Sequence, residues 1–207
     1  LNIYYVGLPG MNVASEPTGA SMLAQPTLGW FFVSGIDVEA LDSPGSIVTI
    51  GDSITDGTYQ VPETNTRWPD LLSQRLAGAG IAMGVLNQGI NSNTVVASAI
   101  SEGQEWKGPA AEDRFERDVL QRPGVRSVVI FEGTNDLTSG IKADEIYAGI
   151  RRMVDRAHAA GLCVVLGTIM PRSDVLFGWN RATMEADREL LNQMIREELF
   201  VQRGKEL

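Results

Sequence analysis

From residue 46 onward, short runs dominated by Val, Ile and Leu alternate with longer stretches of helical period, a pattern that restricts the chain to parallel strands covered by helices. Four runs read as strands: SIVTI (46–50), MGVLN (83–87), RSVVIFE (126–132) and LCVVLGTI (162–169). Their nearly continuous apolar character predicts burial on both faces of a sheet. The intervening stretches carry helix signals. Pro69 suits the first turn of a helix bearing Trp68, Leu71, Leu72 and Leu76, and Gly78 and Gly80 end it. A second helix runs over 112–120 and stops before RPG at 122–124. A third, over 143–160, aligns Ile146, Ile150, Met153, Val154 and Ala157 and ends at Gly161. A fourth, over 181–199, uses Met184, Leu190, Leu191, Met194 and Ile195 in the same way.

A chain of 207 residues, 43% of them hydrophobic, suits one domain with a sizeable core. Residues 1–45 differ from the rest: NIYYVG and GWFFVSG are strand-like pieces between loops containing Gly, Pro and Ser. They read as an N-terminal extension packed against an α/β domain of residues 46–207. Seventeen Lys and Arg against 26 Asp and Glu give a net charge of −9, with no basic stripe for a phosphate backbone, so no nucleic-acid partner is expected. No apolar run approaches the roughly 20 residues that cross a bilayer, so no membrane partner is expected either. The start at Leu1, without methionine or signal segment, reads as a processed or trimmed product. The single cysteine, Cys163, can form no intrachain disulfide and reads as core packing. With one histidine, His158, and no CxxC, HExxH or acidic calcium loop, neither a metal nor an organic cofactor is expected.

In open α/β sheets, ligands bind beyond the carboxyl ends of the strands. The segments found there are GDSITDG, NQGINSN, GTND and TIMPRSD. Ser53 falls where a strand turns sharply into a helix, with Gly51 and Gly57 permitting the turn; this exposes a nucleophile, yet Asp52 and Ser53 equally suit a helix cap. Gly89 serves either a turn or a close backbone approach that lets an N–H reach an oxyanion. Asn135 serves either an Asx turn or an amide donor to the same oxyanion. His158, just before the end of its helix, reads as a partner of the helix dipole at the wrong end of the sheet. Trp30, Trp68, Trp106 and Trp179 suit core or rim positions, or stacking on sugar rings.

Taken together and in this order, the blocks around Ser53, Gly89 and Asn135 resemble three of the four signatures of the SGNH, or GDSL, hydrolases. The segments RWPDLLSQRL, RFERDVLQRPGV, AHAAGLCVVLGTIMP and RATMEADRELLNQMIR extend the likeness to a secreted-esterase branch over roughly residues 30–196. The resemblance implies a three-layer α/β/α sandwich with a flavodoxin-like parallel sheet. It implies Ser53 as nucleophile, and an oxyanion hole made by the Ser53 N–H, the Gly89 N–H and the Asn135 amide.

The fourth signature, Asp-x-x-His, has no counterpart in residues 1–207. The resemblance therefore implies a sheet without its last strand and helix, a low activity for this chain, and a base for Ser53 supplied from elsewhere. Asp56 and Asp136 are near in sequence, but a carboxylate of ordinary pKa, about 4, is a weak base for this proton. The expected activity is hydrolysis of small acyl esters or of acetylated carbohydrate. The alternative is a non-catalytic protein that keeps the cradle as a carboxylate or glycan pocket, and a phosphate-binding flavodoxin-like protein is weaker because Asp52 stands where phosphate would approach. LCVVLGTI becomes an uncharged apolar edge strand, open to pairing with a second copy. The compartment stays open, with the resemblance leaning toward secretion.

Overall fold

The computed structural model describes residues 4–7, 24–27, 36, 38–39, 42–61, 64–172 and 181–203. Strands β1 (Tyr4–Gly7) and β2 (Ala24–Thr27) pair antiparallel. The main sheet holds β3 (Ser46–Gly51), β4 (Gly84–Gly89), β5 (Val125–Phe131) and β6 (Cys163–Leu166), all parallel, in the order β4-β3-β5-β6. The helices are α1 (Ser53–Asp56), α2 (Trp68–Gly78), α3 (Ala111–Phe115), α4 (Thr134–Thr138), α5 (Ala143–Ala159) and α6 (Arg181–Arg203). A π-helical turn, Glu116–Leu120, continues α3.

Chain direction across the sheet reverses at β3: the first connection leads outward to β4, and the next returns past β3 to β5. Right-handed crossovers then place α2 on one face and α3 and α5 on the other, which is the three-layer, flavodoxin-like arrangement. Side-chain parity follows this division. Val48, Ile50, Val128 and Ile130 are buried and share a core with Phe115, Val119, Ile146, Ile150 and Met153. Helix α5 buries all five residues of its expected stripe. Ile47 and Val129, on the opposite face, are half-buried.

Several expectations need correction. MGVLN overlaps β4, none of whose residues is fully buried. LCVVLGTI is a strand only over Cys163–Leu166, and it is not buried on both faces: Val165 is 50% exposed and Cys163 is exposed too. These two residues share one face by the strand's period of two, and no described residue covers them, so Cys163 is not a core residue. Leu71 and Leu190 are exposed, because α2 and α6 each bury a narrower stripe than their leucines suggested. NIYYVG contains β1, but GWFFVSG and most of the 1–45 extension lie outside the described residues, and the strand at 24–27 was not anticipated. At its end the extension joins the sheet: Ser43 Oγ donates to Ala82 O at 2.8 Å, and Gly84 N donates to Gly45 O at 3.1 Å.

Gly89 closes β4 against the backbone of α1. A Cβ there would lie 2.2 Å from the Asp56 nitrogen and 2.7 Å from the Thr55 carbonyl carbon, atoms that no rotamer change can move. Gly89→Ala is therefore expected to lower unfolding free energy by about 2–3 kcal/mol as an overpacked site. Denaturant unfolding measures this, and a stability equal to the parent's would show that α1 can retreat freely.

Candidate active site

The reversal of chain direction opens a crevice at the carboxyl ends of β3 and β5. A cavity of about 330 Å³ occupies it, lined by residues that follow all four strands of the main sheet: Asp52, Ser53 and Ile54; Asn91 and Ser92; Glu132, Thr134 and Asn135; Ile169, Met170, Pro171 and Arg172. Tyr59, 90% exposed, completes the rim with Ile54 and Met170.

Ser53 is the first residue of α1, and Asp52 is its cap: the Ile54 N–H donates to Asp52 Oδ1 at 2.8 Å. Gly51 lets the chain fold back at this point, since a Cβ there would lie 2.5 Å from the Phe131 carbonyl oxygen. The two roles open for Asp-Ser thus separate, with Asp52 capping and Ser53 facing the cavity. The Ser53 N–H makes no hydrogen bond among the described residues.

Asn135 also lines the cavity, and its Nδ2 donates to Asn93 O at 2.8 Å. An amide nitrogen carries two hydrogens, so one N–H is held by Asn93 and the second is left over. Gly89 is absent from the cavity wall. Its N–H donates to Asn87 Oδ1 at 2.9 Å, and its lack of a side chain serves the contact with α1. The residue of that loop on the cavity wall is Ser92, held at φ 60, with an N–H that makes no hydrogen bond among the described residues.

Buried polar groups hold this loop. Arg114, 2% exposed, donates from Nε and Nη2 to Asn93 Oδ1 at 3.0 and 2.9 Å, and from Nη1 to Gln88 O at 2.8 Å. Nη2 also reaches Gly51 O at 3.3 Å, and Nη1 pairs with Asp118 at 3.2 Å. Burial lowers the Arg114 pKa from its ordinary value, against the opposing charges of Glu132 and Asp118. Asn93 Nδ2 donates to Lys107 O and Pro109 O, both at 2.8 Å. Asp136 accepts the Val95 N–H on both oxygens, at 3.0 and 2.9 Å, and the Val96 N–H at 3.1 Å.

Asp136 overturns the premise of an ordinary carboxylate. Burial pushes its pKa up to about 6, against the Val95 and Val96 N–H groups that favour the charged form. Both oxygens are committed to that loop, so Asp136 is a structural acceptor. Burial likewise pushes Asp52 up to about 6, opposed by the Ile54 N–H and the charge of Arg172. The fourth wall is fixed from α6: Asn192 accepts the Ile169 N–H at 2.6 Å and donates to Ile169 O at 2.8 Å, and Arg188 donates to the same oxygen at 3.0 Å.

His158 is exposed in the last turn of α5, just before β6, at the opposite end of the sheet from the cavity. Trp68 donates from Nε1 to Thr55 Oγ1 at 3.3 Å and so braces α1, while Trp106 is 65% exposed beside Lys107. Trp30 and Trp179 lie outside the described residues. Among the described residues no cluster of three or more His, Cys, Asp or Glu is placed to hold a metal, and no helix is long and apolar enough to cross a membrane.

Several residues that build the site were not singled out from the sequence: Ser92, Asn93, Arg114, Glu132 and Arg172. Arg114 had a readable signal, since it lies on one helical stripe with Ala111, Phe115 and Asp118, all buried.

Known proteins share this fold. No curated protein matches the chain in sequence. Among solved structures, a protein described as lipolytic and of the G-D-S-L family, from Desulfitobacterium hafniense, is 27% identical, with a TM-score of 0.55 over 74% of this chain and 73% of that one. Est24, a carbohydrate acetylesterase from Sinorhizobium meliloti, shares the fold at 15% identity, with a TM-score of 0.59 over 77% of this chain and 81% of that one. AlinE4, an SGNH-hydrolase family esterase, shares it at 16% identity and a TM-score of 0.55, over 75% of this chain and 70% of that one. The sequence model of GDSL-like lipases and acylhydrolases matches residues 49–199, from β3 through most of α6. A serine presented at the first turn after β3, with an asparagine after β5 on the same cavity, is what that match spans, and the chain belongs to the GDSL-like lipase/acylhydrolase family.

Proposed function

We propose that the protein is a serine ester hydrolase acting on small acyl or acetyl esters, acetylated carbohydrate included, through an acyl-Ser53 intermediate. The observation that carries this reading is the convergence of Ser53, Ser92 and Asn135 on one cavity, with two backbone N–H groups and one amide hydrogen unspent. Ser53 Oγ attacks the ester carbonyl carbon, and its proton passes to a base. The carbonyl oxygen becomes an oxyanion that accepts from the Ser53 N–H, the Ser92 N–H and the free N–H of Asn135. Collapse of the tetrahedral intermediate breaks the bond to the alcohol oxygen, which leaves with the proton; water then attacks the acyl-enzyme and releases the acid.

In this assignment Ser92 takes the donor role that Gly89 had on sequence grounds, and Gly89 becomes a packing residue. The apolar rim of Ile54, Tyr59 and Met170 suits the carbon skeleton of an organic ester. His158, the one histidine of the sequence, lies at the far end of the sheet, so the base for Ser53 is a different group. That placement also favours a second reading, a binding protein that keeps the cradle as a carboxylate or glycan pocket.

A p-nitrophenyl acetate assay separates the two. Without a base, residues 1–207 are expected to retain only about 10³ to 10⁴-fold acceleration over water. A form continued through any residues that follow Leu207 in its gene is expected to show a burst of p-nitrophenolate that Ser53→Ala abolishes. An extended form that is inert yet binds glycan would replace the hydrolase reading with the second one.

We also propose that two copies associate through β6, whose exposed Val165 and unpaired edge among the described residues offer an apolar ladder for a second strand. Light scattering on a size-exclusion column is expected to show a dimer that Val165→Lys dissociates, and a stable parent monomer would refute it.

A further inference from the structure

Glu132 follows β5 directly, and the register that sets Gly51 beside Phe131 sets Asp52 beside Glu132. Its side chain is buried, 2% exposed, under the Ser53 cavity. Neither of its carboxyl oxygens has a hydrogen-bond partner among the described residues. The Gly133 N–H favours the charged form from outside good hydrogen-bonding geometry. A carboxylate left in that state is severely disfavoured, because burial removes its water without supplying donors.

Its neighbours deepen the penalty. Asp52 faces it from the end of β3 and Asp136 from α4, and both are charged acceptors of backbone N–H groups. The opposing cation is Arg114 on α3, whose hydrogen bonds go to Asn93, Gln88, Gly51 and Asp118. Arg172, after β6, acts on Asp52. Burial first, and then the charges of Asp52 and Asp136, raise the Glu132 pKa well above its ordinary value of 4.5.

We propose that Glu132 is held as a neutral carboxylic acid beneath the cavity, a positioning residue whose neutrality lets Asp52 and Asp136 stay ionised and hold the turns bearing Ser53 and Ser92. Asp52 fixes the first turn through the Ile54 N–H, and Asp136 fixes the second through Val95 and Val96. Ionising Glu132 places three negative charges around one guanidinium that is already committed. The cradle then loosens on the alkaline side without any catalytic base having titrated. The part concerning Ser53 reactivity rests on the hydrolase reading; the protonation state and its effect on stability do not.

The direction of the pH effect follows from proton linkage. Between the ordinary glutamate value and its raised folded value, the folded protein binds more protons than the unfolded chain. Stability therefore falls as pH rises through that window and levels off above the folded pKa. Glu132→Gln keeps the shape and removes the titration.

Isotope-edited infrared spectroscopy on the chain with ¹³C-glutamate reads the proton directly. A protonated glutamate carbonyl band is expected at near-neutral pH, lost on alkaline titration and missing in Glu132→Gln. The parent's melting temperature is expected to fall across the same pH range, with a much smaller fall in the variant. In the form continued through any residues that follow Leu207 in its gene, labelling of Ser53 by a fluorophosphonate is expected to decline with that midpoint and to stay level when the same form carries Glu132→Gln. Identical spectra at near-neutral pH, or parallel melting profiles, would overturn the proposal. Should the variant fail to fold, the parent's spectrum decides alone: no protonated glutamate band at near-neutral pH overturns it. If Ser53 is never labelled in the continued form, with or without Glu132→Gln, while band and melting behave as expected, the hydrolase reading falls and Glu132 keeps its assignment.

Discussion

A buried guanidinium ties the cavity end of the sheet together. Arg114 reaches the carbonyl that ends β3, a carbonyl of β4 and the side chain of Asn93, and Asn93 in turn holds Asn135. The planar fork of arginine makes this possible, because its donors leave in several fixed directions and lysine could serve only one point. Removing a buried cation that has this many partners typically costs about 3–5 kcal/mol, since the acceptors are left without donors. Here the acceptors are the segments that carry the cradle. Stability and site geometry therefore depend on the same contacts.

Asp118 belongs to this arrangement. Burial alone would raise its pKa, but hydrogen bonds from Arg117 and Arg114 outweigh that and leave it below the usual carboxylate value. The Arg114 charge is thus neutralised on the helix side and spends its remaining donors on main-chain and amide oxygens near the cavity.

The four parallel strands and the four longer helical stretches were legible because apolar period reports local geometry, while the flavodoxin-like arrangement of the sheet was implied by the family resemblance. What failed depended on parts of the chain that are distant in sequence. Cys163 and Val165 sit in a run as apolar as β3, yet their face has no cover among the described residues, and a run's composition does not reveal what lies across from it. Ser53 and Asn135 could be found because strand ends meet in a parallel sheet. Gly89 was misleading for a physical reason: a glycine after a strand does mark close backbone approach, but the backbone that approaches is that of α1. Ser92, three residues on, carries no such mark, because serine at φ 60 is recognisable only in the folded chain. Glu132 stands unremarked at the end of the strand run RSVVIFE and Asp136 reads as a carboxylate of ordinary pKa, because the burial of both is visible only in the folded chain.

Asn192 does something at the rim that its sequence position does not suggest. By accepting from and donating to the main chain of Ile169, it imitates a neighbouring strand for one residue beyond β6. Sheet growth is thereby capped at the cavity side: Ile169 has no free main-chain donor to offer an incoming strand. Among the described residues, the open main-chain edge of the sheet runs along Cys163–Leu166, below the mouth of the cavity. Were β6 to pair with a second strand, that contact and the access to Ser53 would fall on separate stretches of the chain.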